Sequence, residues 1–166
     1  MTIPPRGQTG KSTYFVTSST SGKENILQTD RMANLLIQVL LDYREQKKYL
    51  LHEFVVMPNH FHLLITPAEE STLEKSVQFV KGGFSHRVRK ELGFVGEVWQ
   101  TSFEDRRIRE LADYQGFAEY IHQNPVRAGF VSKPEDYPYG SASGRFQLDE
   151  IPQRLKPTAR AISTQA

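Results

Sequence analysis

The 166-residue chain contains no cysteine. Disulfides, thiolate zinc sites and a thiol nucleophile are therefore excluded, and the composition suits a reducing cytosol. No apolar run approaches the roughly 20 residues that a membrane-spanning helix requires. The opening MTIPPRGQTGKST lacks the apolar stretch of a secretory signal. There is little charge excess of either sign: a net charge of +2 and a pI near 8.8 permit a nucleic-acid partner without requiring one. These features predict a cytoplasmic protein with no membrane partner. The length predicts one domain with a substantial core.

The hydrophobic pattern orders that domain. Residues 1–12 read as a flexible arm. Tyr14-Phe15-Val16-Thr17 has strand composition, and Met32, Leu35, Leu36, Val39, Leu40 and Tyr43 recur at helical spacing behind Thr29 or Asp30 as N-cap. Tyr49 to Met57 and His60 to Thr66 are two apolar runs joined by Pro58-Asn59, which predicts a hairpin. Ser71 to Glu74 has the form of a capping box opening a second helix, with a kink expected at Gly82-Gly83. Phe103 to Arg109 reads as a strand. Asp113 is expected to cap a third helix, ending near Asn124 because proline follows. The order β-α-β-β-α-β-α predicts an α+β fold: a ferredoxin-like βαββαβ core with an antiparallel sheet, plus an additional C-terminal helix. Residues 13–143 form the expected domain, and 144–166 read as a polar, weakly ordered tail.

Within the hairpin, VVMPNHFHLLITP places His60 and His62 two residues apart. On a strand they share one face, about 7 Å apart at the backbone, while Phe61, Leu63 and Ile65 point the other way into a core. Their ring nitrogens can converge on one metal ion. Two similar patterns are set aside. GQTGKST at 7–13 lacks the first glycine of a phosphate-binding loop, since Pro5 holds that position and a strand rather than a helix follows. A histidine-triad hydrolase would need a third histidine where Leu64 stands.

Two imidazoles leave a metal shell incomplete. AEYIHQNPVRAGF at 118–130 offers more donors: Tyr120 and Asn124 lie at i and i+4 on one helix face beside an apolar stripe of Tyr114, Phe117 and Ile121. Gln123 is the second choice of ligand after Asn124. His122 points elsewhere.

The stretches VVMPNHFHLLITP, VWQTSF, YIHQNPVRAGFV and PEDYPYGS, in that order between Tyr14 and Ser143, closely resemble the REP-associated tyrosine transposases. That family belongs to the single-tyrosine transposases named HUH for His-hydrophobic-His. The resemblance implies a ferredoxin-like core, His60 and His62 as metal ligands, Asn124 as the polar third ligand, and Tyr120 as the catalytic nucleophile. PEDYPYGS departs from the family, which more often carries a Ser-Ser pair there.

The implied reaction is cleavage and rejoining of single-stranded DNA through a covalent 5′-phosphotyrosine, on hairpin-forming repeats. A divalent cation, Mg²⁺ or Mn²⁺, would act as Lewis acid on the phosphoryl oxygens. A phenol with pKa near 10 is a poor nucleophile unaided. Lys81, Arg87, Arg89, Lys90, Arg106, Arg107 and Arg127 are candidate phosphate contacts, and Trp99 a candidate base-stacking platform. Family members act as monomers or as homodimers with the tyrosine helix supplied in trans. Two alternatives stand beside this reading: a catalytically silent hairpin-DNA-binding protein of the same fold, and a metal phosphodiesterase using water.

Overall fold

The computed structural model describes residues 12–157. Strand β1 (Thr13–Ser19) is followed by helix α1 (Asp30–Glu45), the hairpin β2 (Tyr49–Met57) and β3 (His60–Pro67), helix α2 (Leu73–Leu92), strand β4 (Glu104–Ile108) and helix α3 (Leu111–Arg127). The four strands make one antiparallel sheet in the order β2-β3-β1-β4. This is the expected ferredoxin-like core with its added helix. No helix among the described residues is long and apolar enough to cross a membrane.

Alternation along the strands divides two cores. Tyr14, Val16, Phe61, Leu63 and Ile65 face α1 and α2, where they bury against Leu36, Leu40, Val80 and Phe84. Phe15, Leu64, Val55 and Ile108 face the other way and are covered by Tyr114 and Ile121 of α3. The second sheet face is therefore largely occupied by α3. A β-bulge between Leu51 and Glu53 breaks the alternation of β2. One extra residue lets Leu51 and Phe54 both enter the first core while His52 and Glu53 both turn toward α3.

Helix boundaries differ from expectation in three places, each for a local reason. Thr72, not Ser71, caps α2, its side chain accepting from the Lys75 amide at 3.0 Å. The same helix runs unbroken through Gly82-Gly83. A Cβ on Gly83 would lie 2.8 Å from Cε2 of Tyr43, so glycine here permits close approach of α1 rather than a kink. Glu110 stands at the N-cap of α3, while the Asp113 carboxylate accepts from the Arg109 amide at 3.1 Å. That helix continues through Pro125 to Arg127. Pro125 removes a single ladder bond near the helix end, and its own burial supports the extra turn.

The C-terminal stretch, patternless in sequence, makes specific contacts as far as residue 157. The Val56 amide donates to the Tyr139 carbonyl at 2.8 Å, and Gly140 bridges Val55, extending the sheet beyond β2. Arg44 grips Asp149 through two hydrogen bonds of 2.9 and 3.1 Å, and Leu155 is buried in the α3 core. The arm expected over 1–12, apart from Ser12, and residues 158–166 lie outside the described residues.

Candidate active site

A cavity of about 420 Å³ opens where β1, β3, β4 and α3 meet. His60, His62, Thr17, Asn59, Lys23, Gln100, Glu104 and Tyr120 are among the residues that line it. His60 and His62 share a sheet face, as their spacing dictates, with ring centroids 4.8 Å apart.

Each imidazole is oriented by its Nδ1. His60 Nδ1 lies 2.8 Å from Asn59 Oδ1, and Asn59 Nδ2 donates to the Lys23 carbonyl at 3.3 Å. That second bond fixes the amide orientation, so His60 Nδ1 carries the proton it donates. Thr17 Oγ1 sits 2.8 Å from His62 Nδ1. Both Nε2 atoms are left to face other partners. His62 Nε2 is buried with no hydrogen-bond partner among the described residues. Burial, reinforced by the nearby His60 and Arg127, pushes the His62 imidazole down to about 3. Burial and then the Lys23 charge lower His60 as well. Neutral rings oriented through Nδ1 have the donor chemistry of a metal-binding pair when the proton resides on Nδ1 and the Nε2 lone pair is free. Among the described residues no third His, Cys, Asp or Glu is clustered with the pair, and Glu104 is the carboxylate that lines the same cavity.

Tyr120 projects from α3 over this pair. Its ring meets His62 edge-to-face at 5.3 Å and Phe15 at 5.9 Å, and 43% of the residue remains exposed. The Arg127 guanidinium lies 4.4 Å from the Tyr120 ring centroid and donates to the Tyr120 carbonyl at 3.1 Å. The helix therefore brings Tyr120 to the histidines within one chain. Asn124 is buried one turn further along and Gln123 is half-buried, and neither lines the cavity.

The other sequence candidates scatter. Arg106 is exposed on β4, opposite Phe15 and two residues beyond the cavity-lining Glu104, so it shares their sheet face. Arg107 faces the opposite side. Lys81 Nζ donates to the Gln100 carbonyl at 2.8 Å and so holds the loop before β4. Trp99, expected as a stacking platform, instead packs on Phe61 and Phe84 and donates Nε1–H to the Lys81 carbonyl at 2.9 Å. Its indole belongs to the core. Arg87 pairs with Asp42 and Glu91 beside a groove between α1 and α2, across the sheet from the histidines. Arg89 reaches the Gly96 carbonyl at 2.9 Å, and Lys90 is exposed on the same helix.

Sequence reading missed Thr17, Asn59, Lys23 and Glu104 as neighbours of the pair. Thr17 had a signal, since it pairs with His62 in the β1–β3 register. Lys23 had none: it reaches the cavity from a turn in which its own φ is +54°.

Comparison with known proteins agrees with this fold. The family described as Transposase IS200 like matches residues 9–124. A REP-associated tyrosine transposase of Escherichia coli strain K12 is 24% identical over 143 residues, covering 82% of this chain and 83% of that protein. A structure of a REP-associated tyrosine transposase bound to a REP hairpin superposes with a TM-score of 0.69 at 23% identity, over 96% of each chain. The crystal structure of a candidate transposase from Deinococcus radiodurans R1 gives a TM-score of 0.51 at 25% identity, over 73% of this chain and 98% of that one. The chain belongs to the IS200-like transposases, a family of enzymes that act on DNA, and its relatives include the REP-associated tyrosine transposases.

Proposed function

We propose that this chain cleaves and rejoins single-stranded DNA by transesterification, with Tyr120 as nucleophile, on hairpin-forming repeat DNA like that named for its structural relative. The observation that carries the reading is the exposed Tyr120 ring against His62, a neutral imidazole whose buried Nε2 has no hydrogen-bond partner among the described residues. Tyr120 Oη would form a bond to phosphorus while the bond from phosphorus to the 3′-oxygen breaks. The phenolic proton leaves and a proton is supplied to the departing 3′-oxygen, so the product is a 5′-phosphotyrosine and a free 3′-hydroxyl. Attack by a second 3′-hydroxyl reverses the step and rejoins strands.

His60 and His62 would hold a divalent cation through Nε2; Asn124, or Gln123 as second choice, is the amide donor that the resemblance implies, and either would have to turn into the cavity that it does not line here. When bound, Mg²⁺ or Mn²⁺ supplies Lewis-acid polarisation of the phosphoryl oxygens. The chain's own residues do the rest. Thr17 and Asn59 fix the imidazole planes, Phe15 and Arg127 hold the phenol ring, and Arg106 continues the same sheet face as a phosphate contact.

The test incubates the protein and Tyr120→Phe with labelled hairpin oligonucleotides bearing single-stranded flanks, with Mn²⁺ or EDTA, and reads protein–DNA adducts on a denaturing gel. A Mn²⁺-dependent adduct absent from Tyr120→Phe is expected. Free cleavage products surviving in Tyr120→Phe would instead point to water as nucleophile. Binding without cleavage across many hairpins would leave a silent DNA-binding protein.

A further inference from the structure

We infer that Glu53, with His122 and Ser141, is the positioning device of the tyrosine helix. This rests on the reading of Tyr120 above. Glu53 Oε1 accepts from His122 Nε2 at 2.7 Å and from the Ser141 hydroxyl at 2.6 Å. The Ser141 oxygen in turn accepts from the Phe54 amide at 3.0 Å. One carboxylate oxygen thus joins three elements: β2 through Glu53, α3 through His122, and the 3-10 turn Ser141–Ser143. The residues are only partly buried, with side chains of His122 and Glu53 exposed by 29% and 21%.

Three features of the fold exist at this junction. The bulge between Leu51 and Glu53 turns Glu53 away from the β2 core and toward α3; re-aiming a side chain is a known use of a bulge. Gly140 lets the turn approach β2, since a Cβ there would lie 3.3 Å from Val55 Cγ2 and 3.4 Å from the Phe54 carbonyl. Tyr137 secures the same stretch by donating its hydroxyl to the Val56 carbonyl at 2.6 Å. The sequence stretch PEDYPYGS, otherwise without a role, is thus the outer wall of this junction.

The mechanical consequence follows from helix geometry. Tyr120 and His122 lie two residues apart, about 160° apart around α3, and straddle the buried Ile121. Ile121 anchors α3 together with Tyr114 and Phe117, and such non-directional apolar contacts resist a small roll less sharply than a hydrogen bond does. A roll of about 10° moves a group about 6 Å from the helix axis by about 1 Å. A displacement of that size can cost about 10²-fold in rate. The Glu53–His122 bond opposes that roll on the side of the helix away from Tyr120. Its role is to hold the phenol in line, not to contact DNA.

The experiment measures single-turnover adduct formation with Mn²⁺, hairpin affinity, and amide hydrogen exchange over 111–127. The variants are Glu53→Ala, Glu53→Gln, His122→Phe and the double variant Glu53→Ala with His122→Phe, beside Tyr120→Phe. Expected are adduct rates about 10-fold or more lower in Glu53→Ala and in His122→Phe, with hairpin affinity within about twofold of wild type and faster exchange in α3. The double variant should be no slower than the slower single variant. Glu53→Gln keeps an acceptor oxygen and should restore most of the rate. Wild-type rate and exchange in Glu53→Ala would overturn the proposal, as would multiplying losses in the double variant or Glu53→Gln failing as badly as Glu53→Ala. An adduct that survives Tyr120→Phe would overturn the nucleophile reading alone, because α3 exchange reports on the junction without any chemistry.

Discussion

Thr17→Val tests the histidine pair without touching either histidine. Valine keeps the shape of threonine and suits a strand, so β1 should be preserved. What disappears is the hydroxyl oxygen 2.8 Å from His62 Nδ1. His62 is only 4% exposed, so water has little access to replace it. If the proton stays on Nδ1, a buried donor is left unsatisfied at a cost of about 1–3 kcal/mol. The ring can escape that cost by moving the proton to Nε2, which blocks the lone pair that a metal requires. Either response weakens metal binding. Loss of such an outer hydrogen bond lowers metal affinity by about 10–100-fold, equivalent to about 1.4–2.8 kcal/mol. The assay is titration of metal-free protein with Mn²⁺ by calorimetry, alongside adduct formation over the same Mn²⁺ range. Thr17→Val should shift both curves to higher Mn²⁺ by that factor, while saturating metal recovers most of the adduct. Thr17→Ser should remain near wild type because it keeps the hydroxyl. A Thr17→Val protein with unchanged Mn²⁺ affinity would refute the role of Thr17 in orienting His62.

Three further outcomes are expected. Gly82→Ala should stabilise the protein by about 0.5–1 kcal/mol, since a Cβ there meets nothing within 4 Å and alanine is the better helix former. Gly83→Ala should destabilise it by about 1–2 kcal/mol net, because its Cβ meets Tyr43 at 2.8 Å and Val39 at 3.1 Å; denaturant midpoints of the pair decide this. Burial holds the His52 imidazole below its ordinary 6.5, against two backbone carbonyls that push it up. The unfolded chain then binds the extra proton first, so this stability is complete above pH 6.5 and is lost as pH falls below it. Urea midpoints of His52→Gln should fall less steeply below pH 6.5, by up to about 1.4 kcal/mol per pH unit at the steepest. Arg106→Ala should lower the slope of log affinity for hairpin DNA against log salt by about 0.7–0.9, whereas Arg87→Ala, which breaks pairs with Asp42 and Glu91 across the sheet, should leave it unchanged.

Much of this molecule could be read locally. The hairpin from Tyr49 to Pro67 and the start of α1 behind Thr29 follow from alternation, a Pro-Asn turn and a capping side chain, all expressed within a few residues. The pairing of His60 with His62 needs only the period of a strand. What escaped reading depends on partners distant in sequence. Pro125 continues a helix because its burial offsets the missing donor, which no local rule anticipates. Glu53 looked like an ordinary strand residue because the bulge beside it leaves no mark in a hydrophobic pattern. His122 was set aside because it points away from Tyr120, and that direction is what brings it to Glu53.

The placement of α3 reconciles two demands that conflict at this site. Imidazoles that are to bind a cation must be neutral and dry, whereas a nucleophile for a phosphodiester must be open to a large substrate. A bare ferredoxin-like sheet would leave His60 and His62 fully wet. Here Tyr114 and Ile121 seal the sheet face as far as Leu64, and Leu155 of the C-terminal stretch closes the same core. Cover stops at Tyr120, whose ring lies edge-on to His62 while its own surface stays 43% exposed. The boundary between the two environments is therefore a single side chain. Behind it sits the buried His62 Nε2, without a hydrogen-bond partner among the described residues. By joining β2 to α3 on the side away from Tyr120, the Glu53–His122 bond holds this boundary in place.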